Sequence, residues 1–149
     1  MRAVVQRVSN ARVSVDRSET GAIDAGLVAY VGVGRNDTER DALWIAEKIA
    51  ELRVFEDDAG RMNRSVEQCG GGVLLISQFT LLGDARRGRR PSFAAAASGE
   101  PARDLYERVG SALETRGLRV AYGVFGADME VQQSNQGPVT ILLDSERTF

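Results

Sequence analysis

Histidine is absent from this chain of 149 residues, and cysteine and lysine occur once each. Without histidine there is no histidine-ligated metal site, no serine–histidine or cysteine–histidine nucleophile and no imidazole general base. The single Cys69 excludes an intrachain disulfide and fits a reducing compartment. We expect Cys69 to be a buried structural residue, and the protein to use neither a metal ion nor another cofactor.

Long apolar runs are also missing from the sequence. No run approaches the ~20 residues that a helix needs to cross a bilayer, and the first residues lack the apolar segment of a secretory signal. The length suits one domain with a genuine core and is short for two. We therefore expect a single domain over residues 1–149, soluble and cytoplasmic, without a membrane partner.

Net positive charge is lacking too, because the formal charge is −2. The total therefore gives no support for nucleic-acid binding, but the distribution is uneven: four arginines cluster in one short segment, at Arg86, Arg87, Arg89 and Arg90. Guanidinium groups suit bidentate contacts with phosphate. Codon composition explains the preference for arginine over lysine as well as phosphate binding does.

Seven segments have the apolar pattern of β-strands, namely residues 2–8, 11–16, 25–34, 73–81, 118–124, 128–133 and 139–144. Ser9-Asn10 between the first two predicts a tight β-hairpin. The segment 25–34 is apolar on both faces, which predicts a central strand.

Two helices are predicted between these strands. Thr38 is placed to cap the first, which extends to residue 52 or 53 with Asp41 at its third position. The second begins near Pro101 and ends at Gly117, a typical C-terminal glycine. Many strands and two helices predict an α+β fold, with a curved or barrel-like, mostly antiparallel sheet flanked by two helices.

Polar residues interrupt the apolar run "LLISQFTLL" at Ser77, Gln78 and Thr80. A buried polar group without a partner costs about 1–3 kcal/mol, so these side chains need partners, solvent or a function. Either the strand leaves the core here or its end lines a pocket. The arginine-rich segment that follows favours a pocket for a phosphate-bearing ligand.

A second unusual segment is "SNQGPVT" at residues 134–140. Proline cannot donate to a β-ladder, so a simple interpretation is a hairpin turn with Pro138 opening the last strand. The other interpretation is a special main-chain shape such as a cis bond before Pro138. The pattern alone leaves both open.

The motifs "SQFTL" at 77–81 and "NQGPVT" at 135–140 resemble the two signature motifs of D-aminoacyl-tRNA deacylases. The resemblance covers essentially the whole chain and includes "MRAVVQRVSNARVSV" at 1–15, "KIAELRVFEDDAGRMNRSV" at 48–66, "GRRPSF" at 88–93 and "FGADMEV" at 125–131. One departure is Gln136, which stands before Gly-Pro where the family commonly has aspartate.

The resemblance implies a homodimer that hydrolyses the ester between a D-amino acid and the 3′ end of tRNA. It also implies removal of glycine mischarged on tRNA(Ala), with neither DNA nor a membrane as a partner. Ser77, Gln78, Phe79 and Thr80 are then the catalytic motif, at the subunit interface. Gly137-Pro138 is then cis and presents its carbonyls to the substrate's amino group in the other subunit.

The residues themselves disfavour Thr80 as a nucleophile, because no histidine or nearby lysine could act as its base. Catalysis through main-chain N–H groups around Gln78, Phe79 and Thr80, which would stabilise the oxyanion, is therefore favoured over a nucleophilic threonine. A rigid backbone segment at 137–138 would reject L-amino acids by steric clash. The alternative function is a non-catalytic accessory of the same fold that binds the 3′ end of tRNA.

Overall fold

Strands and helices are mixed along the chain in the computed structural model, which describes residues 1–149. The strands are β1 (Arg2–Val15), β2 (Ser18–Ile23), β3 (Gly26–Gly32), β4 (Phe55–Glu56), β5 (Met62–Arg64), β6 (Gly72–Ser77), β7 (Arg119–Tyr122) and β8 (Glu130–Asp144). The helices are α1 (Glu39–Glu51), α2 (Val66–Cys69) and α3 (Glu100–Thr115), with a 3-10 turn over Phe79–Leu82. The predicted α+β class is confirmed, and α2 is a short third helix that was not predicted.

The main sheet has the order β2-β1-β3-β6-β7, with β8 on the other side of β1. β6 runs parallel to β3 and β7, and the remaining ladders are antiparallel. The two ends of the sheet approach each other, because a Cβ on Gly21 of β2 would lie 2.6 Å from the carbonyl oxygen of Tyr122 in β7. The predicted barrel-like, mostly antiparallel sheet is confirmed, with the expected segment β3 at its centre.

The predicted hairpin at Ser9-Asn10 is wrong, because β1 is continuous through these residues. They form a bulge in which two residues of β1 face one residue of β8. The chain reverses instead at Asp16-Arg17, where both residues have positive φ, 49° and 65°. Exposed serine and asparagine suit a bulge as well as a turn, so the local pattern could not distinguish them.

The bulge also changes which side chains of β1 point toward each of the two cores. Ala3 and Val5 contribute to the larger core, which lies between the sheet and helices α1 and α3. Val8 before the bulge and Ala11 and Val13 beyond it contribute to a smaller core on the other side of the sheet, which also contains Val28, Leu74 and Ile76. The extra residue places Ala11 and Val13 on the same side of the sheet as Val8, whereas strict alternation would place them on the side of Ala3 and Val5.

The last two predicted strands, 128–133 and 139–144, form the single strand β8. Its ladder with β1 pairs Gln6 with Thr140 and Val8 with Asn135, so residues 136–139 face Arg7 alone. Of the two interpretations left open by the sequence, the hairpin turn with Pro138 opening a new strand is therefore wrong. Gly137-Pro138 instead lies in a bulge of β8 and is exposed.

β6 ends at Ser77, four residues before the predicted end, because the chain turns into the 3-10 turn. The turn folds back onto β3, where the N–H of Gln78 donates to the carbonyl of Val31 at 2.8 Å. This approach requires glycine at position 32, since a Cβ there would lie 2.7 Å from the carbonyl oxygen of Gln78. The polar residues therefore lie where the strand leaves the core.

The two long helices begin as predicted. Thr38 precedes α1 and Pro101 lies in the first turn of α3, while Gly117 follows α3 with φ of +84°. Cys69 was expected to be buried but is exposed, because it closes the short helix α2 at the surface. No helix of the structure is both long enough and apolar enough to cross a membrane.

Candidate active site

A cavity of about 670 Å³ lies at the carboxyl ends of the parallel strands β3 and β6. Three residues of the first motif line it, Ser77, Gln78 and Phe79. The other walls come from the residues after β3, from the segments before and within α3, and from the segment after β7, and include Val33, Ala96, Ala97, Ala102, Phe125 and Met129. A mostly apolar cavity with a few polar groups is typical of small-molecule and nucleoside sites.

Two of the aromatic rings that line the cavity, Phe79 and Phe93, contact each other edge to face, with their centroids 5.1 Å apart. Phe79 is 55% exposed, which is unusual for a phenylalanine. Gly83 makes room for the second ring, because a Cβ there would lie 3.0 Å from the edge of Phe93. Exposed aromatic faces beside a pocket suit stacking with a nucleic-acid base.

Two charged residues of the cavity lining, Arg35 and Asp128, were not predicted from the sequence. Arg35 lies beyond β3, and its backbone N–H donates to the carbonyl of Ala95 at 3.0 Å. The N–H of Ala97 donates to Val33 at 2.9 Å, so this segment forms one wall of the cavity. Only the fold brings residues 35, 96 and 128 together, so no local pattern could have found them.

Thr80 is the member of the first motif that does not line the cavity. Its side-chain oxygen accepts a hydrogen bond from the amide Nε2 of Gln78. The N–H of Gln78 is occupied by Val31, whereas Phe79 and Thr80 occupy the first positions of the 3-10 turn. N–H groups at such positions have no partner within the turn. The structure therefore restricts the main-chain candidates to Phe79 and Thr80.

Gly137 and Pro138 also lie outside the cavity of their own chain. The peptide bond between them is cis, the conformation that the family resemblance implies. Gly137 has φ of +120°, and a Cβ there would lie 3.1 Å from Nη2 of Arg7. Position 137 therefore requires glycine for both its backbone conformation and its space.

Arg7 holds this bulge and was missed in the sequence. It is only 7% exposed, its Nε donates to the carbonyl of Gln136 at 3.3 Å, and its Nη1 donates to the carbonyl of Val54 at 2.6 Å. A buried guanidinium needs such partners. The sequence does contain a signal for this role, because Arg7 follows Ala3 and Val5 on a face of β1 that is otherwise apolar, and a charged residue there needs buried partners.

The arginine segment forms a loop closed by paired hydrogen bonds between Asp84 and Ser92. Arg86 binds Asp84 through both Nε and Nη2, at 2.9 and 2.7 Å, and this guanidinium holds the pKa of the carboxyl well below its usual range. The other three arginines of the loop are exposed and form no ion pair, namely Arg87, Arg89 and Arg90.

Comparison with known proteins identifies the family. A family model described as D-Tyr-tRNA(Tyr) deacylase matches residues 4–144. The chain belongs to this family. A D-aminoacyl-tRNA deacylase of Anaeromyxobacter dehalogenans is 58% identical over 149 residues, all of both chains. Deacylases of Thermotoga petrophila, 54% identical over the full length of both chains, and Thermus aquaticus, 56% identical over 97% of this chain and 95% of the relative, are also similar.

Two solved structures have the same fold as this chain. A structure titled c-Myc DNA Unwinding Element Binding Protein is 37% identical, with a TM-score of 0.90 over 97% of this chain and 98% of the other. A structure titled as a probable eukaryotic D-amino acid tRNA deacylase has a TM-score of 0.80 over 95% and 97%. At 17% identity it supports the fold alone. The predicted resemblance is confirmed, and the chain is a member of a hydrolase family.

Proposed function

We propose that this protein hydrolyses the ester of D-aminoacyl-tRNA, releasing the D-amino acid and free tRNA. The observation that carries this proposal is the cavity at the end of β6, lined by Ser77, Gln78 and Phe79 of the family motif. Its volume suits a terminal adenosine with an attached aminoacyl group. Glycine mischarged on tRNA(Ala) is a second substrate, since glycine has no side chain to reject. The reaction belongs in the cytoplasm, where aminoacyl-tRNA is consumed.

The proposed chemistry needs no side-chain nucleophile. Water attacks the ester carbonyl carbon, the carbonyl oxygen becomes an oxyanion, and the ribose 3′ oxygen leaves with a proton. The main-chain N–H groups of Phe79 and Thr80 stabilise the oxyanion, and the neighbouring 2′-hydroxyl transfers the proton. One such donor contributes about 10²–10³ in rate. An aminoacyl ester is already activated, so this stabilisation suffices without an imidazole base.

We further propose that the active unit is a homodimer in which Gly137-Pro138 enters the cavity of the second copy. Their exposure, and their absence from the cavity of their own chain, support this arrangement. β8 pairs only with β1, and its Leu142 is 59% exposed. A long edge strand with exposed apolar residues is usually covered in a stable protein. A backbone segment from the second copy would contact the amino group and exclude an L side chain.

Release of labelled D-tyrosine from D-Tyr-tRNA tests the proposed function. We expect the protein to release D-tyrosine rapidly and to leave the half-life of L-Tyr-tRNA the same as without protein. Equal half-lives of D-Tyr-tRNA with and without protein, together with retained tRNA binding, would leave the non-catalytic accessory as the function. Turnover of simple D-amino-acid esters without the nucleotide would indicate a general esterase instead.

Thr80→Ala should retain substantial deacylation. Its hydroxyl lies outside the cavity and accepts from Gln78, so its loss should loosen the Gln78 side chain while the main-chain donors stay. One neutral hydrogen bond contributes about 0.5–1.5 kcal/mol, so we expect kcat to fall by about tenfold at most. Single-turnover measurement on D-Tyr-tRNA checks this. Loss of activity to background in a folded variant would restore Thr80 as a nucleophile.

The arginine loop should bind tRNA phosphates mainly through Arg87, Arg89 and Arg90, because Arg86 is neutralised by Asp84. Each phosphate contact contributes about 0.7–0.9 to the slope of log affinity against log salt. We expect the triple alanine variant to reduce the slope by about two, and Arg86→Ala to change it by less than one. Arg61→Ala, an exposed arginine in the β4–β5 turn, is the matched control. A slope unchanged in the triple variant would contradict phosphate binding by this loop.

A further inference from the structure

Five polar side chains form a continuous hydrogen-bonded chain beside the Gly137-Pro138 bulge. The hydroxyl of Tyr30 donates to Oε1 of Gln133 at 3.1 Å, and Nε2 of Gln133 donates to Oε1 of Gln6. Nε2 of Gln6 then donates to Oγ1 of Thr140 at 3.1 Å. The chain therefore crosses from β3 through β8 and β1 to the residue that follows the bulge.

The last member of the chain, Asn135, spans the bulge itself. Its Nδ2 donates to Oγ1 of Thr140 at 3.3 Å, and its Oδ1 accepts from the N–H of Val139 at 3.2 Å. Both ends of the four-residue bulge are thus joined by one side chain. Arg7 binds the carbonyl of Gln136 from the opposite side of the strand, so the bulge is held at several points.

The other end of the chain lies beside a residue that lines the cavity. Tyr30 pairs with Ile76, whose side chain belongs to the smaller core and lines the cavity. The ring of Tyr30 packs against that same core. Burial raises the pKa of Tyr30, so its hydroxyl stays protonated and can donate to Gln133.

We propose that Tyr30, Gln133, Gln6, Thr140 and Asn135 form a positioning network that fixes the orientation of the Gly137-Pro138 backbone and thereby sets the preference for D- over L-aminoacyl groups. The inference rests on the proposed function for its stereochemical part. Discrimination by clash requires a backbone that does not yield to an L side chain. A bulge has lost its ladder bonds, so this rigidity must come from side chains such as Asn135 and Thr140.

Thr140 is the residue to test, because its oxygen accepts from both Gln6 and Asn135. Thr140→Val keeps the shape and removes both acceptor contacts, whereas Thr140→Ser keeps the hydroxyl. We expect Thr140→Val to lower the ratio of kcat/KM for D-Tyr-tRNA over L-Tyr-tRNA by about five- to tenfold, the factor that one or two neutral hydrogen bonds contribute. Thr140→Ser should restore the ratio.

Gln132→Leu is the matched control, because Gln132 is a neighbouring glutamine of β8 that bonds to Arg12 and Glu130 and does not touch the bulge. It should leave the ratio unchanged. The second readout is amide hydrogen exchange at Val139, which should accelerate in Thr140→Val because Asn135 is then free to turn away. The melting temperature of each variant shows that it is folded.

The two readouts separate the network from the function on which it rests. An exchange rate at Val139 that Thr140→Val leaves unchanged overturns the positioning network whatever the activity. Faster exchange with an unchanged D/L ratio overturns its stereochemical role. A parent protein that does not hydrolyse D-Tyr-tRNA overturns the proposed function and, with it, the stereochemical part of this proposal.

Discussion

Replacing Gly137 by alanine is expected to lower kcat/KM for D-Tyr-tRNA by about 10²-fold, the loss that a misplacement of about 1 Å produces at a reacting site. The backbone at Gly137 has φ of +120°, and an added Cβ would meet Cγ2 of Val139 at 2.8 Å. Both effects displace the carbonyls proposed to contact the substrate's amino group. L-Tyr-tRNA hydrolysis should rise relative to D-Tyr-tRNA hydrolysis, because the displaced backbone no longer excludes the L side chain.

The matched control for Gly137→Ala is Gly60→Ala. Gly60 also has positive φ, +73°, but an added Cβ there would have no atom within 4 Å. Both variants should lose stability by about 1–3 kcal/mol, the cost of an unusual backbone conformation for alanine, while only Gly137→Ala should lose activity. A Gly137→Ala protein that is folded, dimeric and fully active would show that discrimination resides elsewhere. Melting temperature, sedimentation and kinetics on both tRNAs supply the comparison.

Phe79→Pro should produce the second large loss, about 10²–10³-fold in kcat beyond that of Phe79→Ala. Position 79 is the first of the 3-10 turn, where proline is tolerated because the N–H has no partner within the turn. The preceding Gln78 has φ of −144° and ψ of 80°, which lies outside the α region that proline disfavours. The substitution therefore removes one proposed oxyanion donor while the turn remains.

Phe79→Ala separates the ring from the N–H group. It removes the exposed aromatic face and its contact with Phe93, so tRNA affinity should fall while kcat changes little. Base stacking contributes about 1–3 kcal/mol, which sets the expected loss of affinity at roughly five- to 150-fold. If both variants show the same kcat, the N–H of Phe79 is not an oxyanion donor. Single-turnover rates at saturating protein distinguish binding from chemistry.

Short-range patterns were sufficient to predict several elements of this fold. Thr38 with Asp41, and Pro101 with Gly117, mark the helices because capping depends on a few adjacent residues. The segment of β3 was predicted to be central because it is apolar on both faces, and in the structure both faces are buried. The motifs at 77–81 and 135–140 gave the family, which the relatives confirm.

The same patterns failed where a neighbouring strand decides the local structure. Ser9-Asn10 suit a turn or a bulge, and the pairing of β1 with β8 selects the bulge. The run after Ser77 has strand-like alternation, but contact with the backbone of Gly32 allows it to become a 3-10 turn. Local propensity is a weak preference of about 1 kcal/mol, which tertiary contacts exceed.

The sequence by itself determined the chemistry available to this protein: no imidazole, one thiol, a polar motif after an apolar strand, and a Gly-Pro pair. The tertiary structure decided which of these groups meet. It brings Asp128 and Arg35 to the cavity and places Arg7 under the bulge. It also pairs Arg86 with Asp84 and leaves the other arginines of the loop unpaired. Such contacts join residues through space, and their energies depend on distance and burial, which spacing along the chain does not specify.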